Sequence, residues 1–128
     1  MSDKVEYLTL DDLIELTVLL MGDPPPIRDL GLPGSAAARS QASAFGQNAY
    51  GDLWSKAGAL LQSIVKNHAL VDGNKRLAWL ATAVFLELNG VTVTDVSNDA
   101  VYELITDVAA GDRSPDEIAG QLRSTVLA

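Results

Sequence analysis

Apolar side chains recur every three or four residues along most of the chain, which predicts helices almost throughout. The clearest example follows Asp52, which can cap a helix running from Leu53 to Leu70. From Leu77 to Leu88 the next segment is apolar nearly all round, a pattern typical of a central, buried helix. The apolar positions of the first of these two helices share one face: Leu53, Ala57, Leu60, Leu61 and Ile64.

Local start and stop signals set the elements of the N-terminal part. Thr9 followed by Asp12 is a capping-box pattern, and it predicts a first helix that ends at Gly22. Three consecutive prolines then exclude helix, and a loop is predicted as far as Gly34. The alanine-rich segment 35–45 predicts a short helix.

Similar signals divide the C-terminal part. Gly90 is suited to end the apolar helix, and residues 91–96 favour a short extended piece. Ser97 predicts a helix through Val108, and Ser114 followed by a proline and two acids opens the last one. The pattern as a whole predicts an all-α fold, a bundle of about six helices.

Composition narrows the class of protein. A length of 128 residues fits a single domain spanning 1–128, at roughly 100–200 residues per domain. Hydrophobic residues make up 48% of the chain and charged residues 20%, which excludes wholesale disorder. The sequence contains no cysteine, so disulfides, thiolate metal sites and cysteine nucleophiles are excluded together.

The charge is negative on average but unevenly placed. A net charge of −8 argues against a general nucleic-acid or membrane-surface binder, because such proteins carry a basic face. The segment from Lys66 to Arg76 nevertheless carries three basic residues and one acid, so it is +2 and the remainder is −10. A local anion site is therefore expected there. With no targeting signal visible, we expect a soluble cytoplasmic protein.

Residues 68–76, His-Ala-Leu-Val-Asp-Gly-Asn-Lys-Arg, join the two central helices and carry the candidate chemistry. The first N–H groups of a helix have no partners within it, and the helix dipole adds positive charge at that end. Gly73 allows the backbone to approach a ligand closely. The charges of Lys75 and Arg76 interact unfavourably with the helix dipole, so they do not serve stability. They are favourable if a phosphate binds there.

Two further side chains complete what phosphoryl chemistry needs. His68 can accept a proton near neutral pH, and Asp72 can hold Mg²⁺ together with phosphate oxygens. Each residue also has an ordinary interpretation: a histidine that caps a helix, an Asp-Gly-Asn turn, or a solvated Lys-Arg pair. If all three ordinary interpretations applied, the occurrence of these residues within nine positions would require three independent coincidences.

This segment resembles the signature of the Fic/Doc superfamily, His-x-Phe-x-(Asp/Glu)-Gly-Asn-(Gly/Lys)-Arg. Leu70 stands where the family usually has phenylalanine, and Lys75 replaces the second glycine, as in the Doc ("death on curing") branch of toxins. The resemblance extends over the whole chain and is most specific in residues 60–95. It implies a Fic/Doc-like helical fold with a short flap loop.

The resemblance also implies an activity and its residues. Doc toxins are protein kinases that use ATP and Mg²⁺ to phosphorylate a hydroxyl of elongation factor Tu, which arrests translation and growth. By this resemblance His68 is the general base and Asp72 holds Mg²⁺. Gly73 and Asn74 present the phosphate cradle, while Lys75 and Arg76 bind the phosphates and stabilise the charge that develops in transfer.

Lys75 also bears on which group is transferred. Fic relatives transfer AMP, and the glycine at this position leaves room for the β- and γ-phosphates. A lysine fills that space, so γ-phosphoryl transfer to a Ser or Thr hydroxyl is expected instead. Two alternatives stay open: a Fic-like adenylyltransferase, and a catalytically silent helical module that binds a partner.

The loop from Ser43 to Gly51 corresponds to the family's flap, which aligns a target segment by main-chain pairing. An ordinary connection between helices is an equally good interpretation. By the resemblance, a Phd-like antitoxin binds in trans as the partner, with no direct contact to nucleic acid or membrane. The candidate docking residues of the flap are Phe45, Gly46, Gln47, Asn48, Ala49 and Tyr50.

Overall fold

The computed structural model confirms the all-α class. The structure describes residues 5–28, 31–40, 43–44, 47–48, 52–67, 73–111 and 113–127. Within them, the helices are α1 (Leu10–Met21), α2 (Gly31–Ser40), α3 (Leu53–Asn67), α4 (Asn74–Leu88), α5 (Asn98–Ala110) and α6 (Pro115–Leu127). Two short strands, β1 (Ser43–Ala44) and β2 (Gln47–Asn48), lie between α2 and α3.

The central helix is α3, which packs against α2, α4, α5 and α6. Every residue from Ser55 to Leu61 is buried. The expectation that the apolar helix α4 is the central one is wrong, because only one side of α4 is fully covered. Phe85 and Leu86 are completely buried, whereas Leu88 is 53% exposed.

The predicted capping signals at the helix starts are confirmed by hydrogen bonds. The Thr9 hydroxyl accepts from the Asp12 N–H at 3.1 Å, and the Asp12 carboxylate accepts from the Thr9 N–H at 2.8 Å. Asp52 accepts from the N–H of Ser55 at 2.8 Å, and Ser97 caps α5. These bonds satisfy donors that a helix start leaves without partners within the helix.

Two sequence predictions need correction. The second helix begins at Gly31 rather than at residue 35, and it ends at Ser40 before a hairpin instead of reaching residue 45. Pro33 is tolerated because it lies in the first helical turn, and Ala36 and Ala37 are buried. Residues 91–96 form no strand, since they bend through a turn on their way to α5.

The flap region contains a small antiparallel hairpin. Ser43 pairs with Asn48, and Ala44 pairs with Gln47. Two of the six candidate docking residues, Gln47 and Asn48, therefore belong to β2. The remaining four lie outside the described residues: Phe45, Gly46, Ala49 and Tyr50.

Asn89 fastens the end of α4 to the N-terminal segment. Its side-chain carbonyl accepts from the Glu6 N–H at 2.8 Å, and its amide donates to the Glu6 carbonyl at 2.9 Å. The same amide also donates to the carbonyl of Phe85. Among the described residues, no helix is long and apolar enough to cross a membrane.

Candidate functional site

The candidate site begins at the N-terminus of α4. Gly73 is the N-cap residue in the left-handed conformation, with φ of 86° and ψ of 12°, and no side chain in the described part of the chain caps the helix there. The Gly73 carbonyl accepts the first bond of α4, from the N–H of Leu77 at 2.9 Å. The helix dipole thus presents its positive end at a glycine, where a side chain would otherwise obstruct an anion.

Two cations stand in the first turn of this helix. Lys75 and Arg76 both have exposed side chains. One guanidinium nitrogen of Arg76, Nη2, lies 3.4 Å from the sulfur of Met21, the last residue of α1. Because no acid stands in the first turn of α4, both charges add to the positive potential at the N-terminus of the helix. The result is a concentrated positive potential in a chain of net charge −8.

The C-terminal half of α3, which leads into the motif, is held from two sides. Arg39, at the end of α2, donates to the Ser63 hydroxyl at 3.0 Å and to the Gln62 side-chain carbonyl at 2.8 Å. Lys66 donates to the carbonyl of Gly111 at 3.1 Å. These bonds hold the C-terminal half of α3, whose last residue, Asn67, directly precedes His68.

The remaining motif residues lie outside the described part of the chain. His68 follows the last residue of α3, and Asp72 directly precedes Gly73, but residues 68–72 are not among those described. Their roles as general base and metal ligand therefore stay predictions. The described residues contain no group of three acidic or histidine side chains that could hold a metal ion.

An open apolar groove of about 450 Å³ runs from the cationic end of α4 along the space between α4 and α5. Tyr102 on its rim is 74% exposed, and Trp79 is half-buried in its wall. Lys75 and Arg76 close one end of it. The groove is lined by Leu20, Lys75, Arg76, Trp79, Leu80, Ala83, Asn98, Val101, Tyr102, Ile105 and Thr106.

Two features of this region were not predicted from the sequence. The first is Met21, whose contact with Arg76 joins residues 55 positions apart and leaves no local signal. The second is the α5 side of the groove. A signal for it exists, because Val101, Tyr102 and Ile105 follow helical spacing beside the buried face of α5. Only the packing, however, shows that among the described residues no element covers Tyr102, whereas Ile105 is buried at the base of the groove.

Comparison with known proteins supports the interpretation of the motif. Residues 7–86 match the Fic/DOC family, and this range includes α1 to α3, the hairpin and the whole motif. The chain is also 46% identical over 118 residues to a protein named Toxin Doc from Mycolicibacterium smegmatis, and the match covers 91% of each sequence. Because both matches include the motif together with the helices on either side of it, the chain belongs to the Fic/DOC family.

Proposed function

We propose that this chain is a Doc-type toxin that transfers the γ-phosphoryl group of ATP to a Ser or Thr hydroxyl of a translation factor. The observation that carries the proposal is the Gly73-Asn74-Lys75-Arg76 start of α4, in a chain 46% identical to Toxin Doc. Elongation factor Tu is the target that the resemblance implies. The reaction takes place in the bacterial cytoplasm, and translation and growth stop.

In this proposal, residues at the start of α4 bind the phosphates and stabilise their charge. The helix N-terminus and Gly73 receive the phosphates, and the exposed side chains of Lys75 and Arg76 surround them. Negative charge spreads over the phosphoryl oxygens during transfer, and these two cations stabilise it. Asp72 would hold Mg²⁺, which neutralises further phosphate charge when bound.

His68 supplies the acid–base step. The imidazole removes the proton from the target hydroxyl as that oxygen forms its bond to the γ-phosphorus. The bond between the γ-phosphorus and the bridging oxygen of ATP breaks, and ADP leaves. The products are the phosphorylated target, ADP and one proton.

Labelled ATP tests the proposal. The chain is incubated with Mg²⁺, elongation factor Tu and ATP labelled at either the α- or the γ-position. We expect the label on the target only from the γ-position. Label from the α-position would overturn the kinase assignment in favour of adenylyl transfer.

Three variants show whether the motif is responsible. His68→Ala should abolish labelling and growth arrest, whereas Ser124→Ala, exposed on α6, should leave both unchanged. Lys75→Ala should reduce labelling without lowering the melting temperature, because the Lys75 side chain is exposed. Growth arrest that persists in His68→Ala would support the silent binding module instead.

The groove supplies a surface for the antitoxin partner. A protein that must keep this activity in check needs a site next to the motif, and the groove ends at Lys75 and Arg76. Its apolar walls suit one face of an amphipathic helix, and the cations suit an acidic side chain at the end of that helix. The partner that fits is therefore a C-terminal antitoxin segment of this chemistry, bound in trans.

A further inference from the structure

Met21, Gly73 and Arg76 form a tight contact between the end of α1 and the start of α4. The Met21 sulfur lies 3.4 Å from Nη2 of Arg76. A Cβ placed on Gly73 would come within 2.9 Å of the same sulfur and 3.4 Å of Nη2. The thioether and the guanidinium therefore both stand directly beside the glycine at which the helix dipole ends.

The chemistry of this contact suits a cation that must later bind phosphate. A thioether is a weak acceptor and carries no charge. It can orient a guanidinium without reducing its charge, whereas a carboxylate would pair with it bidentately and compete with phosphate. Within the described residues Arg76 forms no salt bridge, so nothing there offsets its charge.

We infer that Met21 is a positioning residue, whose sulfur holds the Arg76 guanidinium beside Gly73 until a nucleotide phosphate replaces it. Fewer side-chain rotamers then have to be ordered when the nucleotide binds, which favours binding. The inference rests on the proposed function for the identity of the ligand. The contact between Met21 and Arg76 itself requires no ligand.

Two variants separate the sulfur from the packing. Met21→Leu keeps an apolar side chain of similar size but removes the acceptor, and it should weaken Mg-ATP binding about threefold. Met21→Glu places a carboxylate beside Arg76 and should weaken binding about tenfold or more. In Met21→Leu the KM for ATP should rise while kcat at saturating ATP stays close to that of the wild type, which a general structural defect would not produce; in Met21→Glu the added carboxylate should also lower kcat, because Arg76 stabilises the charge that develops in transfer.

Leu19→Glu is the matched charge control. It adds the same carboxylate two positions away on α1, on a side chain that is 79% exposed and outside the groove. Its effect on Mg-ATP binding should be small. In an Arg76→Ala background, Met21→Glu should weaken binding no more than Leu19→Glu does, because the carboxylate no longer has a guanidinium to pair with.

A measurement without nucleotide tests the contact directly. The Nε–Hε resonance of Arg76 in a ¹⁵N-labelled protein should shift in Met21→Leu and stay in place in Leu19→Glu. An unchanged resonance in Met21→Leu, or equal effects of Met21→Glu and Leu19→Glu on binding, would overturn the inference. If the wild type binds no Mg-ATP while Met21→Leu still shifts the Arg76 resonance, the proposed function is contradicted and the positioning contact stands.

Discussion

At the scale of single residues, Gly73 is constrained by its backbone and by its neighbours. Its φ of 86° is a conformation that side chains disfavour, and its Cα hydrogen faces the Met21 sulfur. Gly22 shares the first constraint without the second, because its φ is 95° but nothing lies within 4 Å of a Cβ there. The two glycines thus allow backbone strain to be separated from crowding at the site.

Gly22→Ala is expected to lower the free energy of unfolding by about 1–3 kcal/mol, because its φ of 95° and ψ of 176° lie in a region that is essentially restricted to glycine. Gly73→Ala should also destabilise the fold and, unlike Gly22→Ala, should weaken Mg-ATP binding, because its methyl group displaces Met21 and Arg76. Denaturant unfolding and calorimetric titration measure the two effects. Equal nucleotide affinity in both variants would show that crowding at Gly73 does not matter.

At the scale of elements, the approach of α3 to α6 depends on Gly58. A Cβ at this position would lie 3.2 Å from Cγ2 of Ile118 and 3.3 Å from the backbone nitrogen of Ala119. The second of these atoms cannot move without shifting the helix. Gly120, on the exposed side of α6, has nothing within 4 Å of a Cβ.

The same substitution at these two positions should therefore have opposite effects. Gly58→Ala is expected to lower the free energy of unfolding by about 1 kcal/mol, since overpacking outweighs the gain in helix propensity. Gly120→Ala should raise it by roughly 0.5–1 kcal/mol through that propensity alone. Thermal and denaturant unfolding measure both changes, and stabilisation by Gly58→Ala would contradict the close packing of α3 and α6.

The start of α6 makes a pH-dependent contribution. The backbone N–H of Ser114 donates to the Glu117 carboxylate at 3.1 Å and is the main cause that lowers the pKa of Glu117 below its ordinary value of 4.5. A bond with the Ser114 side chain and the charge of Arg113 lower this pKa further. Because the carboxylate is favoured in the folded state, it stabilises the protein above pH 4.5.

That contribution should disappear as the pH falls through the folded pKa of Glu117. The free energy of unfolding of Glu117→Gln, subtracted from that of the wild type, should therefore decrease below pH 4.5 and approach a constant. Ser114→Ala keeps the backbone N–H and removes only the hydroxyl, so it should raise the pKa of Glu117 part of the way toward its ordinary value, as followed by NMR titration. An unshifted pKa in this variant would contradict the capping box.

At the scale of the whole molecule, the groove and the motif share the N-terminal end of α4. Antitoxin binding should therefore be sensitive to Tyr102, an exposed aromatic side chain of the type that dominates interface energies. Tyr102→Asp is expected to weaken the antitoxin complex tenfold or more, so that growth arrest by this variant resists coexpressed antitoxin. Leu88→Asp is the control, because Leu88 is an exposed apolar residue at the end of α4 that lies outside the groove.

The affinity of the purified complex measures this effect without relying on growth. Equal affinities of Tyr102→Asp and the wild type would exclude the groove as the antitoxin site. An equal loss in Leu88→Asp would show that any added carboxylate on this side of the molecule acts through general repulsion. The first result concerns the partner only and leaves the phosphoryl transfer reaction unaffected.

The sequence alone determined what depends on neighbouring residues. Thr9, Ser97 and Ser114 were identified as helix starts because a capping side chain bonds to a backbone group three residues away. The prediction of a phosphate site at the start of α4 likewise depends on neighbours, because glycine, two cations and the helix terminus are adjacent in the chain. The family resemblance followed from the same nine residues and is confirmed over 7–86.

Tertiary structure decided what depends on distant residues. The early start of α2 went unpredicted because burial of Ala36 and Ala37 outweighs the local effect of Gly31 and Pro33. The order of burial between α3 and α4 depends on which helices surround each, and the groove is the part of α4 that α5 leaves uncovered. The contact between Met21 and Arg76 likewise depends on packing. Packing free energy is gained between surfaces that come together only when the chain folds, so contacts between distant residues leave no local signal in the sequence.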